Sequence, residues 1–392
     1  MTKVQKPMTK EALAKPPHSG ECAHTAPRRL VRQNEDFVSL FRFSVCLLLL
    51  LPLPLMAENL RIGIIGLDTS HAEQFTLRLN DTANPNHVPG GRVVAAFPAA
   101  SADIEESRSR VEGFTAIVRD KFGVRIAGGI EDVCNNVDAI LLLTLDGRPR
   151  LPQMKQILSF GKPVFMDKPV AASLKDAVEI YRLAEAAKVP VFSASAIRWY
   201  PGVLEVANVE KEPANGALSY GPAHILAHHP DLFFYGIHPT EALFTIMGTG
   251  CLSVSRVTTP ASSVVTGLWQ GSRTGTLHAI HEGVKAYKVI RFGKNAVTEQ
   301  KSEGDYTPML REIIKFFQTK QPPISAKDTL EIYAFMEAAE ESKRRGGKSI
   351  SLREVLSKAG APDAWLTADP KATPAPSTKP TDKKNLPQPG SE

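Results

Sequence analysis

The chain has 392 residues, 43% hydrophobic and 22% charged, an ordinary globular composition whose length predicts two domains rather than one core. Its net charge of +6 sits mostly at the ends, because residues 1–57 hold eight Lys/Arg against four acids and residues 368–392 hold four against three. The middle is left near neutrality, without a concentrated basic face for nucleic acid, and its two cysteines, Cys134 and Cys251, are too few to specify a disulfide framework and read as buried thiols.

From Phe43 to Leu55 runs FSVCLLLLLPLPL, behind Arg28, Arg29, Arg32 and Arg42 and ahead of Met56-Ala57. This apolar block is shorter than the roughly 20 residues that a spanning helix needs. It predicts a signal segment over 1–57, cleaved before Glu58, and an exported chain, periplasmic or secreted. An uncleaved N-terminal anchor is the alternative. No membrane span is expected in the mature chain.

The next pieces alternate in type. Leu60 to Gly66 is a short apolar run ending in glycine, 71–81 is helical, and GRVVAAF at 91–97 is a second strand. A helix over 107–123, a strand at 124–128 and the unbroken apolar run VDAILLLTL at 137–145 follow. The helix at 149–161, the strand in KPVFMDKP at 162–169, the helix Ala171 to Lys188 with Ser173 as N-cap and the strand VPVFSAS complete the series. Strands alternating with helices predict a Rossmann-type, doubly wound parallel sheet over 58–195.

From about Arg198 the pattern changes to alternating strands, in HILAHH at 224–229, SVSRVTT at 253–259, SVVTGLWQ at 263–270 and GTLHAIH at 275–281, with turn signals at Gly271 and Gly275. Helices follow at 306–320 and 326–346. These predict an α+β domain over 196–367 with an open, mainly antiparallel sheet, whose C-terminal helices pack back on the first domain. Residues 368–392 are Pro-rich and polar and predict a disordered tail.

The ordered set RIGIIGLDTSHA, VDAILLLT, GKPVFMDKPVAAS, RWYPG, GIHPTEALFTIMGTG and the segment from YTPMLREIIKFFQTK onward resembles the Gfo/Idh/MocA family of glucose-fructose oxidoreductases and inositol dehydrogenases, over about Leu60 to Leu356. The resemblance implies a domain that binds NADP or NAD, a second domain whose sheet faces the nicotinamide and often mediates dimer or tetramer contacts, and hydride transfer at a carbinol carbon of a sugar or cyclitol. A carbohydrate-like substrate and a homo-oligomer are the partners expected.

Such chemistry needs one group to take the hydroxyl proton and one to steady charge on oxygen. Lys168, in Asp167-Lys168-Pro169, and His238, in Gly236-Ile237-His238-Pro239, match the family's catalytic lysine and histidine. Gly63, Gly66, Asp68, Thr69, Ser70, His71, Thr144 and Asp167 form the expected cofactor-binding set, and His229, Asp231, Tyr235 and Arg198 the expected substrate contacts. The spacing of His224, His228, His229, Asp231 and His238 matches no metal motif, so no metal is expected.

The match has departures. Phe234 stands where many family dehydrogenases carry an aspartate, four residues before the histidine. Aligning Gly66 with the first glycine of G-x-G-x-x-G puts Asp68 at the second and His71 at the third. A carboxylate at that second position brings bulk and like charge to a pyrophosphate site. The second strand ends Ala96-Phe97-Pro98, without the acid that holds the ribose of NAD, while Ser101 and Arg108 are candidates for a 2′-phosphate. A non-catalytic carbohydrate-binding or sensory protein with a drifted phosphate loop is therefore the competing function, and an NAD-assisted glycosidase a third.

Overall fold

Apolar runs that cannot alternate must be buried on both faces, and helices supply that cover. The computed structural model describes residues 59–368, and the expected signal segment and nearly all of the expected tail lie outside them. Within it, β1 (Leu60–Ile65), β2 (Gly91–Phe97), β3 (Arg125–Ile126), β4 (Ala139–Leu142), β5 (Val164–Met166) and β6 (Val191–Ser193) form a parallel sheet in the order β3-β2-β1-β4-β5-β6. The strand order reverses between β1 and β4, the switch point outside whose carboxyl ends such sheets hold ligands.

The covering helices are α1 (Ser70–Asn80), α2 (Glu105–Arg108), α3 (Val111–Ala116), α4 (Ile130–Asn135), α5 (Arg150–Ile157) and α6 (Leu174–Ala186). Ser173 caps α6 as expected, accepting the Asp176 N–H at 3.0 Å. The single helix expected over 107–123 is instead α2, α3 and a π turn at Ile117–Lys121. Ser107 turns its hydroxyl inward to Asp68 rather than to solvent, which fixes α2 separately.

The second half contributes α7 (Pro201–Asn208), β7 (Gly216–Pro222), α8 (Ile237–Met247), β8 (Cys251–Thr258), β9 (Ser262–Trp269), β10 (Arg273–Ile280), β11 (Lys288–Phe292), β12 (Val297–Glu299), α9 (Thr307–Thr319), α10 (Ala326–Arg344), β13 (Ile350–Ser351) and α11 (Leu352–Lys358). Its sheet runs β12-β11-β7-β10-β9-β8-β13, antiparallel throughout except for β7 beside β10.

Two strand expectations need correction. HILAHH is not a strand; β7 lies just before it, and the stretch between Pro222 and Pro230 forms loop and turns. Gly275 is not a turn residue but lies inside β10, where a Cβ would come within 2.8 Å of the Trp269 ring; the turn is at Gly271, at φ 72°.

Phe244 of α8 and Phe335 of α10 both meet Trp269, so these helices cover one face of the second sheet. The other face exposes Val257, Val264 and Leu268. Helix α9 returns to the parallel sheet, where Leu310, Ile313 and Phe316 share a core with Ile62, Phe165 and Phe192. Both sheets thus belong to one compact unit.

Candidate functional site

The carboxyl ends of β1, β5 and β6 meet the first turn of α8 at a cavity of about 170 Å³, lined among others by Ser70, His71, Lys168, Ser195, Tyr235, His238, Tyr287 and Tyr306. The Asp167-Lys168-Pro169 tripeptide follows β5 directly, which delivers Lys168 to this cavity. His238 arrives differently: a π turn at Leu232–Gly236 runs straight into α8 and places it one residue inside the helix.

Lys168 is 6% exposed, and its Nζ lies 4.8 Å from the Tyr235 ring centre and 5.9 Å from that of Phe234. Its Nζ has no hydrogen-bond partner among the described residues. Burial pulls the ammonium below the ordinary lysine range, against the opposing pull of Asp167 and Glu106. Burial, with Lys168, His71 and His224 nearby, likewise holds His238 well below the ordinary histidine range and so neutral. Its Nδ1 lies 2.6 Å from Ser195 Oγ, which leaves Nε2 for a ligand.

Across the cavity, His71 Nδ1 is 2.5 Å from Asp167 Oδ2, and Asp167 Oδ1 accepts the Lys168 N–H at 2.8 Å. Burial opposes ionisation of Asp167, yet His71, Lys168 and Arg150 together hold its carboxyl below the ordinary range. The His71 ring stacks on Phe75 at 5.1 Å and meets the Tyr306 edge at 4.7 Å. Behind it, Asp68 is 0% exposed; its carboxylate accepts the Ser107 hydroxyl at 2.6 Å and the Leu145 N–H at 3.0 Å, and burial pushes its pKa up.

The structure therefore brings Thr69, Ser70, His71, Lys168, Tyr235 and His238 to one cavity, with Asp167 directly behind. It places other expected residues elsewhere. Gly63 lies inside β1, where a Cβ would meet Val133 at 2.4 Å, so it serves helix packing. Gly66, at φ 100°, lets the chain turn against the Thr144 backbone, and the Thr144 hydroxyl is bonded to Gln153. His229 Nε2 accepts the Gly147 N–H and faces Asp146, Asp231 pairs with Arg256 and Lys343, and Arg198 pairs with Glu241. These three are engaged in contacts with other side chains and backbone and are not among the residues that line the cavity.

Among the described residues no group of three His, Cys, Asp or Glu is placed to hold a metal ion. Ser195, Tyr287 and Tyr306 were not singled out in the sequence. Ser195 had one signal, its place at the carboxyl end of a parallel strand; the two tyrosines had none, since they reach the cavity from loops remote in sequence.

Residues 60–195 match the model of the GFO_IDH_MocA oxidoreductase family, with an NAD-binding Rossmann fold. Among solved structures, an oxidoreductase from Agrobacterium radiobacter in complex with NAD+, L-tartaric acid and magnesium is 17% identical at a TM-score of 0.60, covering 75% of this chain and 98% of that one. The myo-inositol dehydrogenase from Lactobacillus casei, in complex with NAD(H) and myo-inositol, is 13% identical at 0.60, over 75% and 96%. The myo-inositol 2-dehydrogenase from Lactobacillus plantarum is 14% identical at 0.62, over 75% and 99%. At these identities the likeness is one of fold. No curated protein matches the sequence.

The cofactor of this matched family is thus the nicotinamide class expected from the sequence, and its place is the crevice over β1 and β4. In this chain two side-chain contacts lie at that crevice. Asp68 fills the second-glycine position and is bonded to the β4 side, and His71 reaches over to Asp167 after β5. The candidates for a 2′-phosphate are also engaged: the Ser101 hydroxyl donates to Asp146 at 2.6 Å, and Arg108 pairs with Glu105.

Proposed function

We propose that this chain is a divergent member of the matched family and an NAD(P)-dependent oxidoreductase of a small carbohydrate-like molecule, a sugar or polyol. One observation carries the reading: a buried lysine with a lowered pKa and a neutral, serine-held histidine line one small cavity beside the switch point of an NAD-binding type of sheet. The neighbouring structures described with myo-inositol or tartaric acid support a polyhydroxylated substrate.

A bound nicotinamide supplies the hydride acceptor or donor. The residues of this chain handle the proton and the orientation. Lys168, short of water and hydrogen-bond partners, releases its proton more readily than a solvated lysine and is suited to take one from a substrate hydroxyl. His238 presents Nε2 as a second proton-handling atom on a ring that Ser195 orients from behind. Tyr235, Tyr287 and Tyr306, all with pKa values raised by burial, stay protonated and offer hydroxyls to a polyol.

The test is to purify the protein, denature it and look for released NAD(H) or NADP(H), then titrate both by fluorescence. Retained nucleotide, or binding below millimolar concentration, is expected. Its absence from both assays favours the second reading, a carbohydrate-binding or sensory protein, which the bridged crevice supports. Export of the chain through residues 1–57 and self-association are part of the same proposal.

A further inference from the structure

A dinucleotide turn works by exposing backbone N–H groups to a pyrophosphate at the carboxyl ends of β1 and β4. Two side-chain bridges cross that place in this chain. In the first, Asp68 joins the turn after β1 to the Leu145 N–H after β4 and to Ser107. In the second, His71 spans from α1 to Asp167 after β5.

The first bridge is also roofed. Ser107 Oγ accepts the Ser101 N–H at 2.8 Å, Ser101 donates to Asp146, and Arg148 grips Asp103 with two bonds of 2.8 Å. Ile104, 2% exposed, packs against Leu145 and Phe234. The loop after β2 is therefore anchored over the crevice by both polar and apolar contacts rather than lying across it loosely.

We propose that Asp68 and His71 are the residues that govern nucleotide admission: the crevice is closed by the chain's own side chains and opens only when these two bridges part. The inference rests on the oxidoreductase reading of the same site. An entering diphosphate meets a buried carboxylate of its own charge and must displace it from two donors, while the nicotinamide end must displace His71 from Asp167. Both losses oppose binding, so nucleotide affinity in this chain is set by the bridges and not by the fold alone.

The test compares NADH and NADPH binding, by fluorescence titration, in the full chain and in the variants Asp68→Gly, Asp68→Asn and His71→Ala, each checked for an unchanged circular dichroism spectrum and a cooperative melt. Asp68→Asn keeps the side chain's size and one of its two acceptor oxygens and removes the charge, so it reports even where the glycine variant is too unstable. The expected result is tighter binding in each variant, by at least about tenfold, corresponding to about 1.4 kcal/mol. Equal affinity in the unaltered chain and all folded variants overturns the gate and leaves the oxidoreductase reading standing. Absence of binding in every folded form, at millimolar nucleotide, overturns both.

Discussion

At the scale of single residues, the proposed reaction divides its proton work between Lys168 and His238. Lys168→Ala removes the base while leaving the crevice side chains in place, so it is expected to lower turnover by about a hundredfold to ten-thousandfold with nucleotide affinity little changed, as steady-state kinetics beside a titration will show. The sign of its pH dependence follows from its lowered pKa: the neutral amine is the active form, so oxidation rises with pH to a midpoint below the ordinary lysine range. A midpoint at or above about 10 would assign the base elsewhere. The two residues were legible in the sequence because short motifs carry them. Asp68 and His71 were legible only as departures from a glycine pattern. What they do depends on Ser107, Leu145 and Asp167, partners up to 96 residues away, and no local pattern announces such pairs. The contacts of Asp231 and His229 were illegible for the same reason, since a polar residue near a motif gives no sign that Arg256 or Asp146 will engage it.

At the scale of elements, the parallel strands were readable because unbroken apolar runs between helices leave few alternatives, and the Ser173 cap marks its helix plainly. HILAHH misled because period and composition are weak arbiters over six residues flanked by prolines. The turn between α8 and β8 is held by a buried acid of α10 that makes a separate prediction. Glu331 of α10 accepts the N–H groups of Gly250 and Cys251 at 2.6 and 2.8 Å, and burial pushes its pKa up to about 7 from 4.5. Because the folded value is the higher one, its contribution to stability is fully present below pH 4.5 and is lost as pH rises through 7. Glu331→Gln keeps one acceptor oxygen for both N–H groups and removes the titration. Chemical denaturation should therefore show the variant gaining on the unaltered protein between pH 4.5 and 8, by up to about 3 kcal/mol; a gap that does not change with pH would reject the assignment. In β10, Gly275→Ala drives a methyl into the Trp269 ring and is expected to cost about 1–3 kcal/mol, measurable in the same experiment.

At the scale of the whole molecule, α9 closes over the parallel sheet while α8 and α10 cover only one face of the second, leaving Val257 (70% exposed), Val264 and Leu268 on the other. An apolar strand face of this kind suits a two-fold partner. Light scattering coupled to size exclusion is expected to give a dimer or larger assembly, and Leu268→Glu to shift it towards monomer; a monomer at every concentration tested would contradict self-association through this face.

The proposed catalysis rests on a base buried beside a nicotinamide crevice, and one assay tests that directly. Purified protein is incubated with NAD+ or NADP+ and a panel of polyols and sugars, and formation of reduced nucleotide is followed for the unaltered chain and for Lys168→Ala. Turnover on at least one polyol in the former, abolished in the latter, is the expected result. Reduced nucleotide formed equally by both, or by neither with any substrate of the class, would contradict it.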